Sequence, residues 1–217
     1  MKKGLTELVF ILDKSGSMSG LEKDTIGGYN TMLEKQKAIQ GECHITTVLF
    51  DNNYELLHDR FDIRAVSPIT ENEYQVGGST ALLDAIGRTI HKIGSAQKHT
   101  AEDYRAEKVM FVIITDGEEN SSREYSLAKI KEQIERQKTN YGWEFIFLGA
   151  NIDAVQTAGR FGISADRAVE YLADSEGTNL NFRVMSAAVA EFREKRKISE
   201  EHFEEIRNDV KKRGPHK

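Results

Sequence analysis

Three short runs of this 217-residue chain are apolar at every position: Leu8-Val9-Phe10-Ile11-Leu12, Val109-Met110-Phe111-Val112-Ile113-Ile114 and Phe145-Ile146-Phe147-Leu148. A strand with one wet face alternates apolar and polar residues. Continuous apolar runs that stop at polar, mostly Gly-containing loops therefore predict central parallel strands covered on both faces. Helical spacing fills the intervals. Leu21, Ile26, Tyr29, Met32 and Leu33 predict a helix from Leu21 to about Ala38, although Gly27 and Gly28 weaken its propensity. Ala81 opens a second helix running to about Lys98, a third follows Asn120 to about Lys138, and a short one spans Asp153 to Phe161.

The runs Ile45 to Phe50 and Tyr54 to about Ile63 are separated only by Asp51-Asn52-Asn53, residues that tolerate left-handed backbone. Such a link is too short for a crossover, so the two strands must pair antiparallel. Ala168 to Leu172 predicts a last short strand. Beyond Thr178, the residues Phe182, Met185, Val189 and Phe192 form a helical stripe that reads as core covering the sheet. Ser199 is placed to cap a final helix with Phe203, Ile206 and Val210 inward. The alternation predicts an α/β fold, a mostly parallel sheet with helices on both faces and an antiparallel hairpin at one edge. No linker or repeat divides the chain, so residues 1–217 read as a single domain, with helices from about 178 to 213 packed on the sheet.

Composition narrows the class. With 39% hydrophobic and 30% charged residues the chain can bury a core, and two prolines and one cysteine exclude a disulfide scaffold or a cysteine-based metal site. Cys43, beside a strand and without a CxxC pattern, reads as a small buried residue. No run approaches a membrane span, and Met1-Lys2-Lys3-Gly4 leads into a strand rather than a signal peptide, so the expectation is a cytoplasmic protein with no membrane partner. A net charge of −5 argues against nucleic acid as a partner; Lys195-Arg196-Lys197 and Lys211-Lys212-Arg213 sit among acids and read as solvated helix faces.

The chemistry concentrates at the strand ends. Asp13-Lys14-Ser15-Gly16-Ser17 follows the first apolar run, and alternation in extended backbone aims the oxygens of Asp13, Ser15 and Ser17 into one space. Gly16 allows a tight bend. Thr80 stands in Gly77-Gly78-Ser79-Thr80 just before a helix, and Asp116 ends the second run. Parallel strands share one carboxyl edge, where α/β folds bind their ligands, so these five oxygen-bearing side chains can meet and hold a hard divalent cation such as magnesium.

In these residues the sequence resembles the von Willebrand factor type A (VWA) domain with its metal-ion-dependent adhesion site. That family's pattern is Asp-x-Ser-x-Ser, a later threonine and an aspartate after the fourth strand, and Asp13, Ser15, Ser17, Thr80 and Asp116 match it in order. The wording Phe-Ile-Leu-Asp-Lys-Ser-Gly-Ser-Met and Ile-Thr-Asp-Gly-Glu-Glu-Asn looks like intracellular bacterial members. The resemblance implies a Rossmann-like three-layer fold with a six-stranded sheet ordered 3-2-1-4-5-6 and an antiparallel third strand. It implies Mg2+ or Mn2+ held directly by Ser15, Ser17 and Thr80, with Asp13 and Asp116 often acting through water. It further implies a non-enzymatic protein-binding module whose partner supplies an Asp or Glu carboxylate to the metal, with ATPase chaperones or kinase-like proteins among the partners. Around the site, Met18, Ser19, Gly78, Ser79, Glu118 and Glu119 are expected to supply selectivity.

Other readings of the same residues stand beside this one. Ser15, Ser17 and Thr80 taken singly could cap helices. Asp84 reads as a first-turn acid favoured by the helix dipole, and Glu118 and Glu119 as exposed loop acids. His44, His58, His91, His99, His202 and His216 show no metal-ligand spacing. A metal-dependent phosphohydrolase with Asp13 as nucleophile would want a second aspartate where Ser15 stands, and no phosphate-binding glycine loop is present. A scaffold whose metal only orders loops is the third reading.

Overall fold

The structure, a computed structural model, describes residues 1–214. Six strands form one sheet: β1 (Lys2–Asp13), β2 (Cys43–Phe50), β3 (Tyr54–Asp62), β4 (Ala106–Thr115), β5 (Glu144–Ala150) and β6 (Ala168–Tyr171). Their spatial order is β3-β2-β1-β4-β5-β6, all parallel except β3, which runs antiparallel to β2. This is the Rossmann-like sheet expected from the sequence. The helices are α1 (Glu22–Lys37), α2 (Leu82–His99), α3 (Leu127–Tyr141), α4 (Ala154–Arg160), α5 (Ser175–Lys195) and α6 (Glu201–Arg213). None of them is long and apolar enough to cross a membrane.

The continuous apolar runs are explained by the two cores. Along β1, Leu8, Phe10 and Leu12 enter one core with Tyr29 of α1, Phe182 and Phe192 of α5 and Phe203 of α6. Val9 and Ile11 enter the other, with Ile86 and Ile90 of α2, Ile130 and Ile134 of α3 and Phe161 beyond α4. Both faces of the central strands are thus dry, and each buried Leu or Ile contributes roughly 1.5–3 kcal/mol by leaving water. Cys43 is buried, as its surroundings predicted.

Four local expectations are corrected. The turn 51–53 has no left-handed residue; the Asp51 carboxylate instead accepts the Asn53 N–H at 2.5 Å, a side-chain closure that makes positive φ unnecessary. Residues 117–126 form a loop, and α3 starts only after Ser126, whose hydroxyl caps it by accepting the Lys129 N–H. Ser199 does not cap α6: its N–H and hydroxyl both go to the Glu191 carboxylate of α5, and Glu200 occupies the cap position without a side-chain bond. Val210 is only half-buried, because α6 ends beyond the core that holds Phe203 and Ile206.

Candidate metal centre

The carboxyl ends of β1 and β4 adjoin in the sheet, with Leu12 level with Ile114, so the residues that follow them come together by register alone. Asp13 is the last residue of β1 and Asp116 the first after β4. After Asp13 the chain turns through a short 3-10 segment, Gly16–Met18, that points Ser15 and Ser17 back over the strand end. The Ser15 and Ser17 hydroxyl oxygens lie 3.1 Å apart, and Ser17 donates to Asp116 Oδ1 at 2.5 Å. Thr80 closes the third side. A Cβ placed on Gly117 would lie 3.2 Å from Ser17 Oγ and 3.8 Å from Thr80 Oγ1, so both hydroxyls flank the backbone beside Asp116 and the missing side chain leaves the space open. All five sequence-predicted residues therefore gather at one strand edge; four are buried, and Ser17 reaches solvent.

Several neighbours that sequence reasoning did not single out hold this arrangement. Asp13 is anchored on both oxygens, Oδ1 accepting the Ser15 N–H at 2.7 Å and Oδ2 the Thr115 hydroxyl at 2.5 Å. Beneath it the buried Tyr74 hydroxyl donates to the Asp13 carbonyl. Asn120 Oδ1 accepts the Thr80 N–H at 2.9 Å, and the Thr80 carbonyl accepts the Asn120 N–H at 3.0 Å. Asn151, left-handed at φ 56°, donates to the Asp116 carbonyl at 3.2 Å. Gly78, expected at the site, has φ +74°, which favours glycine, and a Cβ there would stand 2.2 Å from Asn52 Oδ1 of the β2–β3 turn, a side-chain end that would have to swing away.

Two acids change role. Glu119 is half-buried rather than an exposed loop acid; it accepts the N–H groups of Leu83, Ser121 and Ser122 and the Ser122 hydroxyl, tying the 117–126 loop to the start of α2. Asp84 serves more than the helix dipole, since its carboxylate accepts the N–H groups of Arg123, Glu124 and Tyr125. Those bonds hold it below the usual aspartate range despite its burial. Met18 is 1% exposed and belongs to the core, so it cannot contribute to selectivity, whereas Ser19, Gly78 and Glu118 are exposed.

The electrostatics of the site suit a positive charge. Burial pushes the Asp116 carboxyl up to about 6, against the Ser17 hydrogen bond and with the help of the nearby Asp13 charge. Burial likewise raises Asp13, opposed by its bonds from Ser15 and Thr115. Asp116 Oδ2 is buried with no hydrogen-bond partner among the described residues, a costly state for a carboxylate oxygen unless a positive charge faces it. Oxygen donors with two carboxylates are what a hard divalent cation takes, so this set fits Mg2+ or Mn2+. No three His, Cys, Asp or Glu side chains converge among the described residues, so the hydroxyls are indispensable to any such site. His44, His58, His91, His99 and His202 lie elsewhere, His202 pairing with Glu191 at 2.9 Å; His216 lies outside the described residues.

No protein-family model matches the sequence, and no curated protein matches it. Solved structures do share the fold. A von Willebrand factor type A protein from Catenulispora acidiphila superposes with a TM-score of 0.56 at 18% identity, over 85% of this chain and 42% of its own. The ArnB paralog VWA2 from Sulfolobus acidocaldarius gives 0.53 at 18%, over 88% and 45%. The manganese-loaded TRAP protein of Plasmodium vivax gives 0.52 at 19%, over 69% and 58%. The chain spans about half the length of these proteins, and at such identities the likeness is one of fold: a VWA-like sheet with its helices.

Proposed function

We propose that this chain is a metal-dependent protein-binding module in which Asp13, Ser15, Ser17, Thr80 and Asp116 hold a magnesium or manganese ion that takes an Asp or Glu carboxylate from a partner. We read residues 1–217 as one VWA domain of the intracellular bacterial type, working in the cytoplasm, with an ATPase chaperone or kinase-like protein among the partners that fit. The observation that carries the reading is the convergence of two buried carboxylates on three hydroxyls, with Asp116 Oδ2 left unpartnered. The manganese in the Plasmodium vivax TRAP protein, which shares the fold, supports the choice of cation.

A bound divalent cation supplies a concentrated positive charge with room for an outside oxygen. The chain's own residues prepare for it. Thr115, Tyr74 and the Ser15 N–H fix Asp13, Asn120 fixes the loop carrying Thr80, and Gly117 keeps the approach open. Neutral hydroxyls donate weakly and leave the ion electrophilic, while the two carboxylates balance its charge. Stripped of metal, Asp13 and Asp116 face an incoming carboxylate as like charges, and attraction becomes repulsion.

The arrangement favours the binding reading over a phosphohydrolase. Asp13 is 1% exposed and fixed through both oxygens by Ser15 and Thr115, which suits a held carboxylate beside a cation better than a nucleophile that must move onto a substrate. The direct test is magnesium calorimetry on the intact chain and on Asp116→Ala, followed by capture of partners with and without chelator. Saturable uptake in the wild type, lost in the variant together with chelator-sensitive partners, is the expected result. Equal uptake by both proteins would remove Asp116 from the site.

A further inference from the structure

The pole of the sheet opposite the candidate metal centre carries an unassigned groove of about 980 Å3 between α2 and α3. It lies at the amino end of β4, about 30 Å along that strand from Asp116. One wall is a stripe of α3 at helical spacing, Lys129, Gln133, Arg136, Gln137 and Asn140; the facing wall is Ile90, Gly94, Gln97 and Lys98 of α2. The stripe is about 16 Å long, the span of about five residues of extended chain. Trp143, stacked on Phe111, forms part of the floor, and the exposed Tyr141 and Met1 add apolar surface at the rim.

Its charge runs against that of the molecule. The chain carries −5 overall, yet Lys98, Arg105, Lys129, Arg136 and Arg196 line this groove against the acids Glu102, Glu107 and Glu132. Lys129 is paired with Glu132. Arg105 is turned to the carbonyls of Thr100 and Lys98, and Lys98, Arg136 and Arg196 have no carboxylate partner among the described residues. Unpaired cations also occur singly elsewhere on the surface, as at Lys35 and Arg123, but here three of them line one groove.

We propose that this groove is a second, metal-independent docking site for an acidic peptide segment of a partner protein, its carboxylates meeting Lys98, Arg136 and Arg196 and an apolar side chain resting by Tyr141 and Trp143. Elongation along two helices matches a polymer better than a single small anion, and an apolar floor suits a peptide better than a phosphate backbone. Two sites at opposite poles would let the module hold two partners at once, and the second would not compete with the first.

Trp143, the chain's only tryptophan, lies in the floor of this groove, so its emission is the probe of occupancy. The probe is a synthetic glutamate-rich peptide of about eight residues with leucines at its centre, titrated at low ionic strength in chelator. A saturable change in Trp143 emission is expected, unaltered in Asp13→Ala and weakened about tenfold or more in the Lys98→Glu/Arg136→Glu variant. Both residues are exposed; should that variant lose its native spectrum without peptide, Arg136→Gln takes its place with a smaller loss in the same direction. No saturable change in the wild type, or equal affinity in the charge variants, overturns the site. A single-stranded oligonucleotide that binds as well as the peptide overturns the assignment to a protein partner. Because every arm is free of metal, failure here leaves the carboxyl-edge centre untouched.

Discussion

Ser17 and Asp116, 99 positions apart in sequence, meet through a 2.5 Å hydrogen bond from the Ser17 hydroxyl to Asp116 Oδ1. The contact joins the loop after β1 to the loop after β4 and satisfies one oxygen of a carboxylate whose other oxygen has no partner. Ser17→Ala is expected to lower stability by about 1–2 kcal/mol, because a buried carboxylate loses its donor. Magnesium uptake should weaken about tenfold alongside. Urea unfolding and calorimetry on one preparation separate the two effects; unchanged stability would mean that water replaces the hydroxyl without loss.

Gly78→Ala is expected to cost about 1–3 kcal/mol, since φ +74° disfavours any side chain and the new Cβ would press on Asn52 Oδ1. Asn52→Ala in the same background relieves the collision but leaves the backbone strain. The double variant should therefore recover only part of the loss in a thermal or urea melt.

Glu119 accepts four bonds, one from Leu83 of α2 and three within the 117–126 loop. Removing its carboxylate in Glu119→Ala should speed amide hydrogen exchange at Leu83, Ser121 and Ser122 while sparing the strand amides of β4, because only the local closure is lost. Exchange that rises throughout β4 would instead mark Glu119 as a support of the whole sheet.

Glu191 is held at about 2, first by the Ser199 N–H and further by His202 and the Ser199 hydroxyl. A carboxyl whose folded value is depressed contributes stability that is present above its ordinary value near 4.5 and is lost as pH falls toward 2. The α5–α6 connection should loosen in that window, and Glu191→Gln should flatten the acid limb of a stability-against-pH curve while lowering its neutral plateau. An acid limb of the same slope in the variant would assign the acid sensitivity to other groups.

Much of the fold was legible because burial leaves a periodic trace. Leu8 to Leu12 and Val109 to Ile114 are apolar without alternation since helices cover both faces, and a three-residue link between Phe50 and Tyr54 permits only an antiparallel neighbour. The strand-end positions of Asp13, Ser15, Ser17, Thr80 and Asp116 followed from the same reading. Local chemistry was harder. Ser199 has the residue type of a cap, but the Glu191 carboxylate one helix away offered its N–H and hydroxyl a better partner than the end of α6 did.

The amino-acid sequence by itself determined the layered α/β architecture and which side chains stand at the carboxyl edge, for periodicity and loop length are properties of neighbouring residues. Only the tertiary structure decided that Thr115 and Tyr74 would anchor Asp13, that Asn120 and Glu119 would close the Thr80 loop, and that unpaired cations would collect between α2 and α3. Those pairings join residues brought together by strand register and helix packing, and a hydrogen bond or an unmatched charge depends on distances that no local pattern encodes.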